Sequence, residues 1–201
     1  MINSIDVNYQ SSIRVEGGKV IYFDPFKIER EAHDADMIFI THAHYDHLSP
    51  EDIEKIRKED TIIVVPESIE FEGKYGVVPG ESYEIDGVKV LTVRAYNTNK
   101  PFHPKDNNWV GYVVEINGEK IYVTGDTDAV DEVKGTSCDV LCLPIGGKYT
   151  MDASEAAECT NVIAPATVIP THYGEIVGCK EDADIFKSKV SGNIEVQIKL
   201  S

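Results

Sequence analysis

Apolar and polar positions come in short, strand-length runs through the first part of the chain, and strand and helix patterns alternate after it. Residues 11–15 (SSIRV) and 19–23 (KVIYF) read as strands joined at Gly17–Gly18, a hairpin signal. DMIFI at 36–40 is nearly continuous in apolar residues, the pattern of a strand covered on both faces. Behind it, Ser49 is placed to cap a helix running PEDIEKIRKE, with Pro50 at the first helical position and acids in the first turn.

TIIVV at 61–65 reads as another strand, followed by a hairpin of 82–85 and 88–95 around Asp86–Gly87. WVGYVVEI and KIYVTGD are split by Asn117–Gly118, the strongest short-range hairpin signal in the chain. Afterwards the strands DVLCLPI, ATVIPTH and IEVQIKL are separated by the helical patterns DASEAAECTNVI and EDADIFKSKV. Two mixed sheets packed on each other with helices outside satisfy this order, in one domain over residues 1–201 without a linker.

Composition narrows the possible roles. The chain is 42% hydrophobic and 27% charged, an ordinary globular mixture, and it has no apolar run long enough to span a bilayer. MINSIDVNYQ lacks the basic patch and apolar stretch of a signal peptide, so the expected location is cytoplasmic. A formal charge of −16 repels polyanions and argues against extended nucleic-acid binding. It leaves a small anionic substrate possible, because bound metal ions reverse the local sign. Cys138, Cys142, Cys159 and Cys179 form no CxxC pair and are expected to be buried, reduced thiols, which leaves a redox role for Cys138 and Cys142 without support.

One stretch carries chemistry. THAHYDHLSP, residues 41–50, places three of the six histidines and an aspartate within six positions. In a loop leaving a strand, alternate residues can point the same way, so His42 and His44 suit one divalent ion, with Asp46 and His47 turned toward a neighbour. His103 lies in the loop NTNKPFHPKDNNW, Asp126 in YVTGDTD and His172 in VIPTHYGE, the last two just past predicted strands. Each alone has an ordinary reading as a turn, cap or strand-end residue; together they supply the missing ligands.

In that order, THAHYDHL, His103, TGDTD and PTHYG resemble the metallo-β-lactamase superfamily over nearly the whole chain. With PIGGKYTMD and PTHYGE, the resemblance extends to its UlaG-like branch, the ascorbate-6-phosphate lactonase relatives and other small metal-dependent hydrolases. It implies an α/β fold, a four-layer αββα sandwich with the site at one edge of the two sheets. It also implies that His42, His44 and His103 hold one metal, that Asp46, His47 and His172 hold a second, and that Asp126 bridges them. Asp24, in YFDPF, matches an aspartate that supports the histidine loop, whereas His33 matches no ligand.

The implied activity is hydrolysis of an ester, lactone or phosphodiester bond in a small, anionic substrate by a hydroxide shared between two metals, with Asp46 orienting it or taking its proton. Nitrogen and oxygen donors without thiolate suit zinc, manganese and ferrous iron almost equally, and the resemblance implies Zn2+ first and Mn2+ second. The absence of a His-x-Glu-x-Asp variant argues against the diiron, oxygen-reducing relatives. Tyr149 and Tyr173 are candidate proton donors, with hydrogen-bonded packing the stronger reading of each. The loop Gly146–Gly147, followed by Thr150 and Asp152, is either a pocket wall whose amides meet an anion or a plain capped turn. The competing function is a non-catalytic metal-binding or regulatory protein that keeps the fold; the sequence leaves the oligomeric state open.

Overall fold

A computed structural model describes residues 4–200. The first sheet holds β1 (Ser4–Tyr9), β2 (Ser12–Glu16), β3 (Val20–Phe23), β4 (Ala35–Phe39), β5 (Arg57–Pro66) and β6 (Tyr75–Val77) in chain order, with α1 (Pro50–Ile56) between β4 and β5. The second holds β7 (Ser82–Ile85), β8 (Val88–Arg94), β9 (Val110–Ile116), β10 (Glu119–Val123), β11 (Val140–Pro144), β12 (Thr167–Thr171) and β13 (Glu195–Val196), again as sequential neighbours. Both sheets are mixed: β1 to β3 and β7 to β10 pair antiparallel, while β3 to β6 and β10 to β13 pair parallel. The remaining helices, α2 (Asp131–Lys134), α3 (Ala153–Ile163) and α4 (Asp182–Lys189), belong to the second half.

Side-chain alternation sorts the strands into layers. Val110, Tyr112, Val114 and Ile116 of β9 enter the core between the sheets, while Val113 points the other way, toward the helices. Likewise Met37 and Phe39 of β4 face the second sheet, whereas Ile38 meets Ile53 and Ile56 of α1 on the outer side. This double coverage is why DMIFI reads as unbroken apolar sequence. Ala156, Ala157 and Phe186 cover the outer face of the second sheet against Leu141, Leu143 and Val168. The order of layers is therefore helix, sheet, sheet, helix, as the resemblance implies. Phe23, Phe39 and Tyr112 are fully buried at its centre, each worth about 1.5–3 kcal/mol by burial. No helix among the described residues is long and apolar enough to cross a membrane.

The hairpins form where their turn residues require. Asp86 and Gly87, and Asn117 and Gly118, all take positive φ, the requirement of a two-residue primed turn. Other elements depart from the sequence expectation. The helix after Ser49 stops at Ile56, and β5 starts at Arg57, four residues before TIIVV. With Ile53 and Ile56 buried, the following Lys-Glu-Asp offers no apolar side chain for another turn. Arg57 pairs with Ala35 instead, and Lys58 forms an ion pair with Asp36. The last strand is confined to Glu195–Val196, since Pro170, soon after its partners on β12, has no N–H with which to continue a ladder. Strands β1 and β6 and helix α2 carry too short or too weak a pattern to be read from sequence. Cys142 and Cys159 are buried and Cys138 is half-buried, all free thiols, but Cys179 is exposed because it sits in the loop leading to α4.

The topology places the chemistry. Parallel neighbours end on the same side, so the residues after β3 and β4 emerge together, as do those after β10, β11 and β12. Three bonds tie these ends across the sandwich. Tyr112 donates its hydroxyl to the Ile40 carbonyl at 2.8 Å. The Val110 N–H reaches the Thr41 carbonyl at 3.2 Å and the His172 N–H reaches the Gln10 carbonyl at 3.1 Å.

Candidate metal centre

Asp24, directly after β3, is the residue on which the histidine loop is built. Its φ of 45° turns the chain out of the sheet. Its Oδ1 accepts the Thr41 N–H at 2.8 Å, and its Oδ2 accepts the Thr41 hydroxyl at 2.6 Å and His47 Nδ1–H at 2.7 Å. Because the Thr41 hydroxyl donates to Asp24, its oxygen is left to accept from His42 Nδ1, 2.9 Å away. Both His42 and His47 therefore carry their proton on Nδ1 and turn Nε2 inward. His42 Nε2 meets His44 Nδ1 at 3.0 Å.

Asp126, past β10, sits between the groups. Its Oδ1 lies 3.5 Å from His47 Nε2, and its Oδ2 lies 3.4 Å from His103 Nε2 and 3.3 Å from His172 Nε2. Asp46 Oδ2 lies 3.3 Å from His172 Nε2 and 3.8 Å from His47 Nε2. The seven side chains expected from the sequence thus converge. Two groups with ligand atoms within 4.8 Å of one another coincide with the expected sets: His42, His44 and His103, and Asp46, His47 and His172. A third group by the same measure, Asp24 with His42 and His47, is a weaker ligand set, because the Asp24 oxygens are already engaged by Thr41 and His47.

Burial makes the arrangement costly unless something completes it. His42, His47, His103, His172, Asp46 and Asp126 are buried, while His44 is half-buried. Among the described residues, most buried side-chain atoms lacking a hydrogen-bond partner belong here: His47 Nε2, His103 Nε2, both His172 ring nitrogens and Asp126 Oδ1. Nε2 of His47, His103 and His172 faces the Asp126 carboxylate, and imidazole nitrogen and carboxylate oxygen are the donor types a divalent cation takes once the imidazoles are neutral. The residues fit such an ion.

The electrostatics describe the same cluster without an ion. Burial disfavours ionised Asp126, yet His172, His47 and His103 hold its carboxyl well below the usual range. Burial alone would lower His47, but Asp126 and Asp24 push it up to about 9. His42 is driven well below its ordinary value by burial and by His47, and His44 is lowered by burial and His103. Asp46 is also lowered: burial opposes this, but His172 and His47 outweigh it.

Several contributors carry no motif of their own. Asn97, three residues beyond the β8 end, accepts the His103 backbone N–H at 3.1 Å and sits 2.9 Å from His103 Nδ1 through the same Oδ1. Its amide donates to Asp128 at 3.1 Å and to the Tyr149 carbonyl at 3.0 Å. Asp128 in turn takes Lys100 at 2.7 Å. Trp109 walls the cluster, its ring centroid 5.0 Å from those of His42 and His44 and 5.7 Å from His103. The available signal was position: Asn97, like the ligand candidates, is a polar residue just past a strand.

Other expectations resolve plainly. His33 is exposed, with Nδ1 3.1 Å from the Arg57 carbonyl, and takes no part. Tyr173 is buried with its hydroxyl donating to the Leu200 carbonyl at 3.3 Å, a packing role. Asp152 caps α3, its Oδ1 accepting the Ser154 and Glu155 N–H groups at 2.8 and 2.9 Å, while Glu155 returns a bond to the Asp152 N–H. Those amides are engaged, so the loop is a capped turn and not an anion cradle. Gly146 instead serves close approach, since a Cβ there would lie 2.3 Å from the His172 carbonyl oxygen.

The sequence model of the Beta-lactamase superfamily domain matches residues 9–172. The chain belongs to the metallo-β-lactamase superfamily, as one of its metal-dependent hydrolases. Among its relatives is the UPF0173 metal-dependent hydrolase of Thermococcus onnurineus, 33% identical over 208 aligned residues that cover 94% of this chain and 92% of that protein. Another, from Pyrococcus abyssi, is 30% identical, covering 92% of this chain and 90% of the relative. The solved structure of Igni18, a metallo hydrolase from the archaeon Ignicoccus hospitalis, superposes with a TM-score of 0.79 at 25% identity, covering 96% and 93% of the two chains.

Proposed function

We propose that the protein is a dinuclear metal-dependent hydrolase acting on an ester, lactone or phosphodiester bond of a small, anionic substrate. The observation that carries this reading is Asp126, whose two oxygens face His47 on one side and His103 and His172 on the other, between two three-residue groups. His42, His44 and His103 would hold one cation, Asp46, His47 and His172 the other, and Asp126 both. Zn2+ suits the nitrogen-rich set best, with Mn2+ or Fe2+ compatible. Divalent cations held there supply Lewis acidity, lowering the pKa of a water and polarising the bond to be cleaved.

The protein's own groups do the rest. Asp24, through His47 and through Thr41 to His42, fixes the tautomers that turn Nε2 lone pairs inward, and Asn97 does the same for His103. Asp46 is ionised at neutral pH, because His172 and His47 outweigh the effect of burial, so it can accept a proton from an attacking water. Half-buried His44 marks the side open to solvent, where substrate enters. Trp109 packs its partly buried ring against His42 and His44, an apolar wall that strengthens the charge interactions beside it.

The deciding experiment loads the protein with zinc or manganese, measures metal content, and follows a chromogenic phosphodiester and a chromogenic ester, with Asp126→Ala as control. Turnover of either substrate that vanishes in the variant supports the reading. Wild-type protein holding two equivalents of metal and turning over neither would overturn it in favour of metal binding without catalysis.

A further inference from the structure

Two residues beside the candidate ligands face outward although they are aromatic. Tyr45, between His44 and Asp46, is 67% exposed, and Phe102, immediately before His103, is 39% exposed. A single exposed aromatic needs no explanation, but these two share a construction. Tyr45 meets Phe26 edge-on at 5.8 Å, Phe26 meets Tyr9 edge-on at 5.8 Å, and the Lys27 ammonium lies 4.0 Å from the Tyr9 ring centre. Phe102 meets Tyr149 edge-on at 4.7 Å, and the Lys148 ammonium lies 4.9 Å from the Tyr149 ring centre. On each side an open aromatic stands next to a candidate ligand, backed by further rings and topped by a lysine.

Both banks are fixed to the centre. Asn97 joins the Tyr149 carbonyl to the His103 ring. Asp52 accepts the N–H groups of Lys27 and Ile28 at 2.9 and 3.0 Å, holding the segment that carries Phe26. The banks flank neighbouring rings: His44, next to Tyr45, and His103, next to Phe102, lie 4.8 Å apart between ring centroids.

The rim also carries positive charge. Some lysines of this acidic chain are neutralised by a carboxylate, as Lys100 is by Asp128, Lys105 by Glu132 and Lys89 by Glu115. Among the described residues, neither Lys27 nor Lys148 has a carboxylate within ion-pair distance; each lies over a tyrosine face instead. Such an ammonium keeps its charge for a ligand.

We infer that this rim selects the substrate: a small molecule with a planar apolar ring, stacked on the exposed faces of Tyr45 and Phe102, and a carboxylate or phosphate met by Lys27 or Lys148. The bond cleaved rests on the hydrolase reading above, whereas recognition by the rim does not, so the test is one of binding. Zinc-loaded protein is titrated with acetate, benzoate and terephthalate, with affinity read by calorimetry. Each probe offers a carboxylate to the metals, benzoate adds the ring, and terephthalate adds a second anion. Affinity should rise about tenfold for the ring and again for the second charge. Tyr45→Ala and Phe102→Ala should shrink the benzoate-to-acetate ratio, and a Lys27→Gln, Lys148→Gln pair the terephthalate-to-benzoate ratio, with metal content and melting temperature as controls on folding. Three probes binding within twofold of one another, or ratios unmoved by the variants, would overturn the inference. Benzoate selectivity in a protein that hydrolyses nothing would uphold the rim and reject the hydrolase.

Discussion

Asp24 accepts the Nδ1–H of His47 at 2.7 Å, and both side chains are fully buried. The same carboxylate holds Thr41, and through it His42, so one residue outside the candidate ligand set orients two members of it. Asp24→Asn keeps the shape, and asparagine tolerates the positive φ of this position, but it removes the charge that supports both imidazoles. Metal affinity should fall about 10- to 100-fold, measured by competition with a chromogenic chelator. An unchanged affinity would show that the Asp24 contacts serve folding alone.

The titrations predict how the metal-free chain responds to pH. His47 holds its proton up to about 9 in the fold, against about 6.5 when unfolded. Its contribution to stability is complete below pH ~6.5 and is lost as pH rises to about 9. His42 and His44 are lowered, so the unfolded state binds their protons more tightly and stability falls as pH drops below ~6.5. Urea denaturation of chelator-treated protein between pH 5 and 9.5 should therefore show a maximum near pH ~6.5. A steady rise to the alkaline end would contradict this assignment of protons.

Asn97 uses one oxygen for two bonds to His103 and its amide for Asp128 and Tyr149. In Asn97→Ala the His103 ring loses its anchor, and one metal of the two should bind about 10- to 100-fold more weakly while the other is retained. Two-phase metal titration distinguishes this from general unfolding, which would weaken both together.

Asp52 is a structural counterpart. It accepts the backbone N–H groups of Lys27 and Ile28 and pairs with Lys55 at 3.0 Å. Asp52→Ala strands two amides beside a helix start and should cost about 2–4 kcal/mol in chemical denaturation. A loss under about 0.5 kcal/mol would mean that water replaces the carboxylate without penalty.

Gly146→Ala places a methyl group 2.3 Å from the His172 carbonyl oxygen and 2.7 Å from Val177 Cγ1. Relief requires moving the backbone that carries His172, at a cost of about 1–3 kcal/mol. Metal retention on gel filtration should drop together with the melting temperature; a stable variant with full metal content would show that this loop yields freely.

What was legible in the chain is what local chemistry encodes. His42, His44, Asp46 and His47 show themselves as candidate ligands in the spacing of three imidazoles and a carboxylate, and the period of two in VGYVVEI assigns Tyr112 to one face and Val113 to the other. The Asn117–Gly118 turn requires two positive φ values, which few other dipeptides supply. Each of these is settled within a few residues, so the sequence displays it. Helix α1 ended early because its neighbour strand offered Arg57 a partner, a competition no local pattern contains.

The rest belongs to the tertiary structure. His103, Asp126 and His172 are separated by long stretches of chain and meet because parallel strands end on one side of each sheet. Asn97 and Trp109 have no spacing to betray them; they matter through the ring at 2.9 Å and the imidazoles at 5.0 Å that folding places beside them. Cys179, grouped by composition with the buried thiols, is exposed by its loop. The rim of Tyr45, Phe26, Tyr149 and Phe102 likewise exists only after folding, because ring-to-ring contact depends on through-space geometry and leaves no period along the chain.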